Sequence, residues 1–266
     1  MDELLISNGA GILGIVTLLW LASVRLRDVS IVDPWWSLLF LFVGWNTAIR
    51  TGVTADKALL LALLSAWALR LFGHLWLRAR GKPEDPRYAA FRVRFGADRY
   101  WWFSYFQVFL LQGMLALVIS TPLQLALAHS GEARLSWGDI IGTLVFGLGF
   151  AIETVADAQL QRFRNDATRR GTVLDSGLWG WSRHPNYFGE ALLWWGLWLH
   201  ALDQPWGWMT ALAPALLTFL LLRVSGVAML DDLLRRTKPG YAEYLARTPA
   251  FVPRRPRPRA SATLQR

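Results

Sequence analysis

Long apolar runs separated by short charged segments organise this chain. A helix needs about 20 apolar residues to cross a bilayer. The pattern predicts seven such spans, roughly 9–24, 35–49, 58–77, 103–128, 137–157, 186–202 and 205–229. Helices are the expected element, because backbone polar groups in lipid must be satisfied internally. The ten-residue alternation of a membrane barrel is absent from the sequence. Only a few residues separate the last two spans, which predicts a tight hairpin. Residues 231–247 read as two short helices parted by Pro239 and Gly240. The expected fold is therefore an all-α integral membrane protein, a seven-helix bundle over residues 1–253. A basic, Pro/Arg-rich disordered tail is expected over 254–266.

Charge adds a direction to this pattern. The net charge is +9, with 28 Lys and Arg. Twenty-four of these fall in alternate loops and the C-terminal part, against Arg50, Lys57 and Arg134 on the opposite side and Arg70 inside the third span. Such a distribution is a topology signal and not a nucleic-acid one. By the positive-inside rule it predicts an outer N-terminus and a cytoplasmic C-terminus. The acidic start, MDELLISNGAG, lacks the basic n-region of a signal peptide, so the first span is expected to be retained. The expected location is a bacterial inner (cytoplasmic) membrane. The chain has no cysteine, which excludes disulfides and thiolate metal sites. Four scattered histidines, with no HExxH, give no metal site either.

Polar residues interrupting the apolar runs mark the candidate chemistry, since ionisable groups within a span are expensive to keep. Glu153, Asp157, Gln161 and Arg164 share one face of the fifth span. The acids lie deepest and the arginine at the mouth, as a cofactor wall would require. Asn186, Glu190 and Trp194 share a face of the sixth span. Arg183 and His184 precede that span, where a helix N-terminus favours an anion. Gly147 and Gly149 sit inside an apolar helix with no preceding strand, so they read as small residues for close helix packing. Asp33 opens the second span, either as an N-cap or as an acid directed into the bundle. Arg70 and His74 form a further polar pair at i, i+4.

The run GLWGWSRHPNYFGE, preceded by EDPRY and followed by PGYAEYLARTPAFVP, resembles the DUF1295 branch of the steroid 5α-reductase family. The resemblance is strongest over 80–253. The RHPNY run is shared with sterol C14-reductases, and a looser RHPxY with isoprenylcysteine and phospholipid methyltransferases. The resemblance implies an enzyme that uses NADPH to reduce a carbon–carbon double bond conjugated to a carbonyl, of the 3-oxo-5α-steroid 4-dehydrogenase type. It implies cofactor contacts at Asp85, Arg87, Tyr88, Asp157, Arg164, Arg183, His184, Asn186, Tyr187 and Glu190. Asp231 (or Asp232) and Tyr244 join them, with the cofactor site facing the cytoplasm. Asp33 and Glu190 are the expected catalytic residues, and Asp33, Trp36, Arg70, His74 and Trp194 the expected substrate pocket.

The family polarises its substrate carbonyl with a Glu–Tyr pair. Asp33 is the loose counterpart of that Glu, acting in its protonated form. The third span has no tyrosine, which leaves Arg70 or His74 as the substitute. The expected partners are a steroid-like or isoprenoid lipid and the membrane lipids, with no nucleic acid and no obligate protein partner. A membrane methyltransferase using S-adenosylmethionine is the alternative, and a non-enzymatic lipid-binding protein a third reading.

Overall fold

The apolar runs fold as helices throughout. A computed structural model describes residues 2–128, 135–224 and 226–255, and among these no strand occurs. Twelve α-helices follow in order: α1 Asp2–Leu26, α2 Val32–Thr51, α3 Ala55–Ala79, α4 Pro86–Phe95, α5 Ala97–Ser104, α6 Leu111–Ile119, α7 Thr121–Ala128, α8 Trp137–Asn165, α9 Pro185–Leu199, α10 Leu212–Phe219, α11 Val227–Thr237 and α12 Tyr241–Arg247. Among the described residues, five helical stretches are long and apolar enough to cross a membrane: Asp2–Leu26, Ala55–Ala79, Ala97–Ile119, Trp137–Asn165 and Gly207–Thr237. These are consistent with an integral membrane protein. The expected spans 35–49 and 186–202 correspond to α2 and α9, of 20 and 15 residues, which fall outside that group. Of the expected tail, 256–266 lie outside the described residues, as does Arg134.

The run 103–128 is not one helix. It starts earlier, at Ala97, passes through a π-helical turn at Tyr105–Leu110 and breaks at Ser120. The cause is Pro122, which has no N–H to continue the ladder. At the break, Gln124 Nε2 and Ser120 Oγ both donate to the Leu117 carbonyl, each at 3.0 Å.

The chain divides into two compact units. The first comprises residues 1–140 and 197–213. Its core gathers Phe40, Trp67, Leu64, Phe109 and Leu123. Helices α1 and α2 run antiparallel. Asn8 near the start of α1 donates to Thr47 near the end of α2 at 3.0 Å, and to Gln124 at 3.1 Å. At the other end, Trp20 donates to the Trp101 carbonyl at 2.7 Å. Ser136 and Asp139 form a reciprocal capping box at the start of α8. The buried His200 bonds the other Asp139 oxygen through Nδ1 at 2.7 Å.

The second unit comprises 141–196 and 214–266. Its central feature is the close approach of α8 and α9. A Cβ on Gly149 would stand 2.5 Å from Leu193 N, one on Gly189 2.6 Å from Glu153 N, and one on Gly196 2.5 Å from Phe146 N. Backbone meets backbone at all three. The expected packing role therefore holds for Gly149. It fails for Gly147, which has nothing within 4 Å of its would-be Cβ. Pro239 and Gly240 do part α11 from α12, Gly240 taking the left-handed φ of 76° that favours glycine.

Candidate functional site

The glycine contacts of the second unit set its polar groups face to face. Because Gly189 packs on Glu153, the Glu153–Asp157 face of α8 lies beside the Asn186–Glu190 face of α9. Glu153, Asp157 and Glu190 are all buried. Asn186 Nδ2 donates to Asp157 Oδ1 at 3.1 Å, which joins the two faces directly. The Asn186 Oδ1 atom is buried and has no hydrogen-bond partner among the described residues. It is an acceptor in want of an N–H donor, because a buried polar atom left unpaired is costly. Arg164 lies exposed, seven residues beyond Asp157 on α8. Trp194 is fully buried one turn beyond Glu190.

The GLWGWSRH segment ahead of α9 is clamped from two directions. Leu178 N donates to Gln159 Oε1 at 3.0 Å, and Trp179 Nε1 to the Ala156 carbonyl at 3.0 Å. Gly177, at φ 62°, would place any Cβ 2.7 Å from the Gln159 amide. From the other direction, Tyr244 donates to the Trp179 carbonyl at 2.5 Å, and Ser182 Oγ to the Phe251 carbonyl at 2.7 Å. Arg247 pairs with Asp175.

Asp231 is the hub of this clamp. It accepts from Arg183 Nη2 at 2.7 Å and from Tyr241 at 2.6 Å, and it bonds His184 Nε2 at 3.1 Å. Arg183 also donates to the carbonyls of Leu245, at 3.3 Å, and Thr248, at 2.5 Å. The two residues expected to meet an anion are thus engaged by a carboxylate. The expected cofactor residues Asp231 and Tyr244 hold the segment in place. Tyr187 stacks on His184 with ring centroids 5.5 Å apart. Burial, followed by the Asp231 carboxylate, pushes the Tyr241 phenol well up. Tyr244 is likewise raised, by burial first.

A second cluster forms in the first unit. Asp33 is not an N-cap: α2 begins at Val32 with Ile31 ahead of it, and Asp33 sits in the first turn. Its carboxylate accepts from Tyr88 at 2.6 Å and from Arg87 Nη2 at 2.7 Å. Gln112 Nε2 donates to the same phenolic oxygen at 3.4 Å. Asp85 caps α4, accepting from Arg87 N at 2.9 Å, and also binds Arg87 Nε at 2.9 Å. Burial pushes the Asp85 carboxyl up, and the Arg87 hydrogen bonds more than offset it. Burial and then the Asp33 charge push the Tyr88 phenol far above its ordinary range, so it stays a donor. Asp33, the residue expected to act in its protonated form, is bonded through both oxygens. EDPRY, expected at the cofactor, brings its arginine and tyrosine to Asp33. Behind them, Glu84 accepts from Val29 N and from Arg92 Nη2, each at 2.8 Å, and fixes the start of α4.

Of the other expected pocket residues, Trp36, Arg70 and His74 also lie in this unit, whereas Trp194 belongs to the second. Trp36 packs edge-on to Phe40 at 4.7 Å. Arg70 and His74 are half-buried on α3. Tyr241 and Gln112 were missed. The first lies in the PGYAEY string beside the expected Tyr244, while nothing in the sequence singled out the second.

The family model described as "Protein of unknown function (DUF1295)" matches residues 19–248. The chain belongs to the DUF1295 family. Both clusters lie within the matched DUF1295 region. The chain is similar to an uncharacterized protein of Schizosaccharomyces pombe, 29% identical over 207 residues. That match covers 66% of this chain and 58% of the yeast protein, so the chain spans less than two thirds of its relative's length.

Proposed function

We propose that this DUF1295 protein is an NADPH-dependent membrane reductase. Its substrate is a steroid-like or isoprenoid lipid carrying a carbon–carbon double bond conjugated to a carbonyl. The observation that carries this reading is the Tyr88–Asp33 hydrogen bond. It pairs a carboxylate with a phenol, the combination that the resemblance to steroid 5α-reductases calls for and that the third span lacks. It makes Tyr88 the donor to the substrate oxygen, in place of a protonated Asp33.

The donor set of the second unit fits the cofactor in part. Asn186 Oδ1 accepts an amide N–H, and Asp157 holds that side chain in its orientation through Nδ2. Arg164, at the mouth of the same helix face, takes phosphate charge. Arg183 and His184 do not fit a phosphate role while Asp231 holds them. When bound, NADPH supplies a hydride to the β-carbon. Tyr88 would donate its O–H to the substrate carbonyl oxygen and stabilise the negative charge that develops there. Arg87 continues to neutralise Asp33 meanwhile.

The reading extends to seven crossings of a bacterial inner membrane, with α2 and α9 included. The N-terminus is then outside and the cofactor site faces the cytoplasm, as the arginine asymmetry supports. The chain has no cysteine, so single cysteines placed in each loop report this topology by labelling.

Thermal shift of the detergent-purified protein tests the cofactor. NADPH raises the melting temperature more than NADH, because a ligand that binds only the folded state stabilises it. A shift with S-adenosylmethionine and none with NADPH overturns the reading and selects a methyltransferase. Hydride transfer is then assayed with an enone lipid.

A further inference from the structure

We infer that the segment from the end of α3 to α5 is a binding surface for anionic phospholipid headgroups. The inference needs only the membrane character of the chain and stands apart from the cofactor reading. Helix α4 lies where α1 finishes and α2 starts: Tyr88 and Arg87 reach Asp33, Glu84 reaches Val29, and Arg92 Nη2 reaches the Arg27 carbonyl at 3.5 Å. It therefore covers one end of the helices of its unit.

The charges of this segment do not cancel. Glu84 is taken by Arg92, and Asp85 and Asp33 by Arg87. Asp98 sits in the first turn of α5, where the helix N-terminus already favours a negative charge. Arg80, Lys82, Arg94 and Arg99 are exposed and have no ion pair among the described residues. Arg78 adds a fifth cation, whose charge helps to hold the Asp85 carboxyl low.

These cations alternate with exposed apolar side chains. Leu77 is 70% exposed and Val93 84%, with Trp76, Trp101 and Trp102 about half exposed. A soluble anion would satisfy the cations and leave this apolar collar in water. A lipid surface satisfies both at once: aromatic rings settle at headgroup level, and each basic residue there gains an attraction to anionic lipid. A neutral lipid would leave the unpaired positive charge without a counterpart.

The test compares phosphatidylglycerol with phosphatidylcholine, added as mixed micelles to the purified full-length chain. Binding is read by native mass spectrometry and by the lipid concentration that half-saturates the thermal shift. Phosphatidylglycerol is expected to bind more tightly, and added salt to weaken it. The triple variant Arg80→Gln, Arg94→Gln, Arg99→Gln should lose on the order of ten-fold or more in affinity. Its Arg→Lys counterpart should retain binding, which separates lost charge from lost fold. Equal binding of the two lipids, or an undiminished preference in the Gln variant, overturns the inference. So does an equal shift with inorganic phosphate alone.

Discussion

Tyr88 and Asp33, 55 positions apart, share a 2.6 Å hydrogen bond between α4 and the first turn of α2. The phenol is the donor, and Arg87 occupies the other carboxylate oxygen. Tyr88→Phe deletes that donor, and with it the oxygen that accepts from Gln112. Under the proposed reduction the rate should fall by about 10²-fold or more, the usual cost of removing one donor to a developing oxyanion. NADPH binding, assigned to the second unit, should be unchanged. A rate equal to that of the unaltered protein removes Tyr88 from the chemistry. Lost NADPH binding would assign the phenol to the cofactor instead.

Asp231 and Asp232 are neighbours with opposite surroundings. Asp231 and its partner Arg183 are 15% and 11% exposed, whereas Asp232 and Arg236 are 59% and 74% exposed. Asp231→Asn leaves Arg183 buried without its counter-charge. Breaking such a pair from one side costs about 3 kcal/mol. Asp232→Asn should cost at most about 0.5 kcal/mol, because water already screens that pair. Melting temperatures of the two variants check this. Equal losses would mean that the hub is no more than a surface contact.

The local part of the second unit was legible in the sequence. Glu153 with Asp157, and Asn186 with Glu190, are faces read from helical spacing alone, and these faces do meet. Spacing cannot say which residue of a distant segment arrives at a face. Asp231 reaches Arg183 across 48 positions, and periodicity carries no sign of it. Arg183 and His184 were therefore read as open to an anion. The resemblance places Tyr88 at the cofactor through EDPRY, and it directs the search for a tyrosine beside Asp33 to the third span. The break at Ser120 had a visible cause in Pro122, which the continuous hydropathy of 103–128 concealed. Family membership was legible from the RHPNY run and its flanks.

The tyrosines give a prediction about pH. Burial raises the phenols of Tyr88, Tyr241 and Tyr244 above their ordinary value near 10. A group whose folded pKa is raised contributes stability that is fully present below its unfolded pKa. That stability is lost as pH rises through the folded value. The protein should therefore lose stability progressively above about pH 10. The chain has six tyrosines, so near-ultraviolet absorbance can count them. At about pH 11 the folded protein should show fewer tyrosinates than the denatured chain. Equal ionisation in the two states would show that these phenols are open to solvent.

Gly147 and Gly149 stand two positions apart on α8 and should respond oppositely to the same change. A Cβ on Gly149 meets the backbone of α9: Leu193 N at 2.5 Å and the Gly189 carbonyl at 2.7 Å. Neither atom is the flexible end of a side chain, so α8 and α9 must separate to admit it. Overpacking of this kind costs about 1–3 kcal/mol. The separation would also draw Asp157 away from Asn186, whose hydrogen bond depends on the same close approach. Gly149→Ala should thus lower both the melting temperature and NADPH affinity. Gly147→Ala enters open space and exchanges a poor helix former for the best one. It should be neutral, or stabilising by up to about 1 kcal/mol. Melting curves with and without NADPH separate the two effects. If Gly149→Ala lowers stability but leaves NADPH affinity intact, the Asp157–Asn186 pair is structural and does not hold the cofactor.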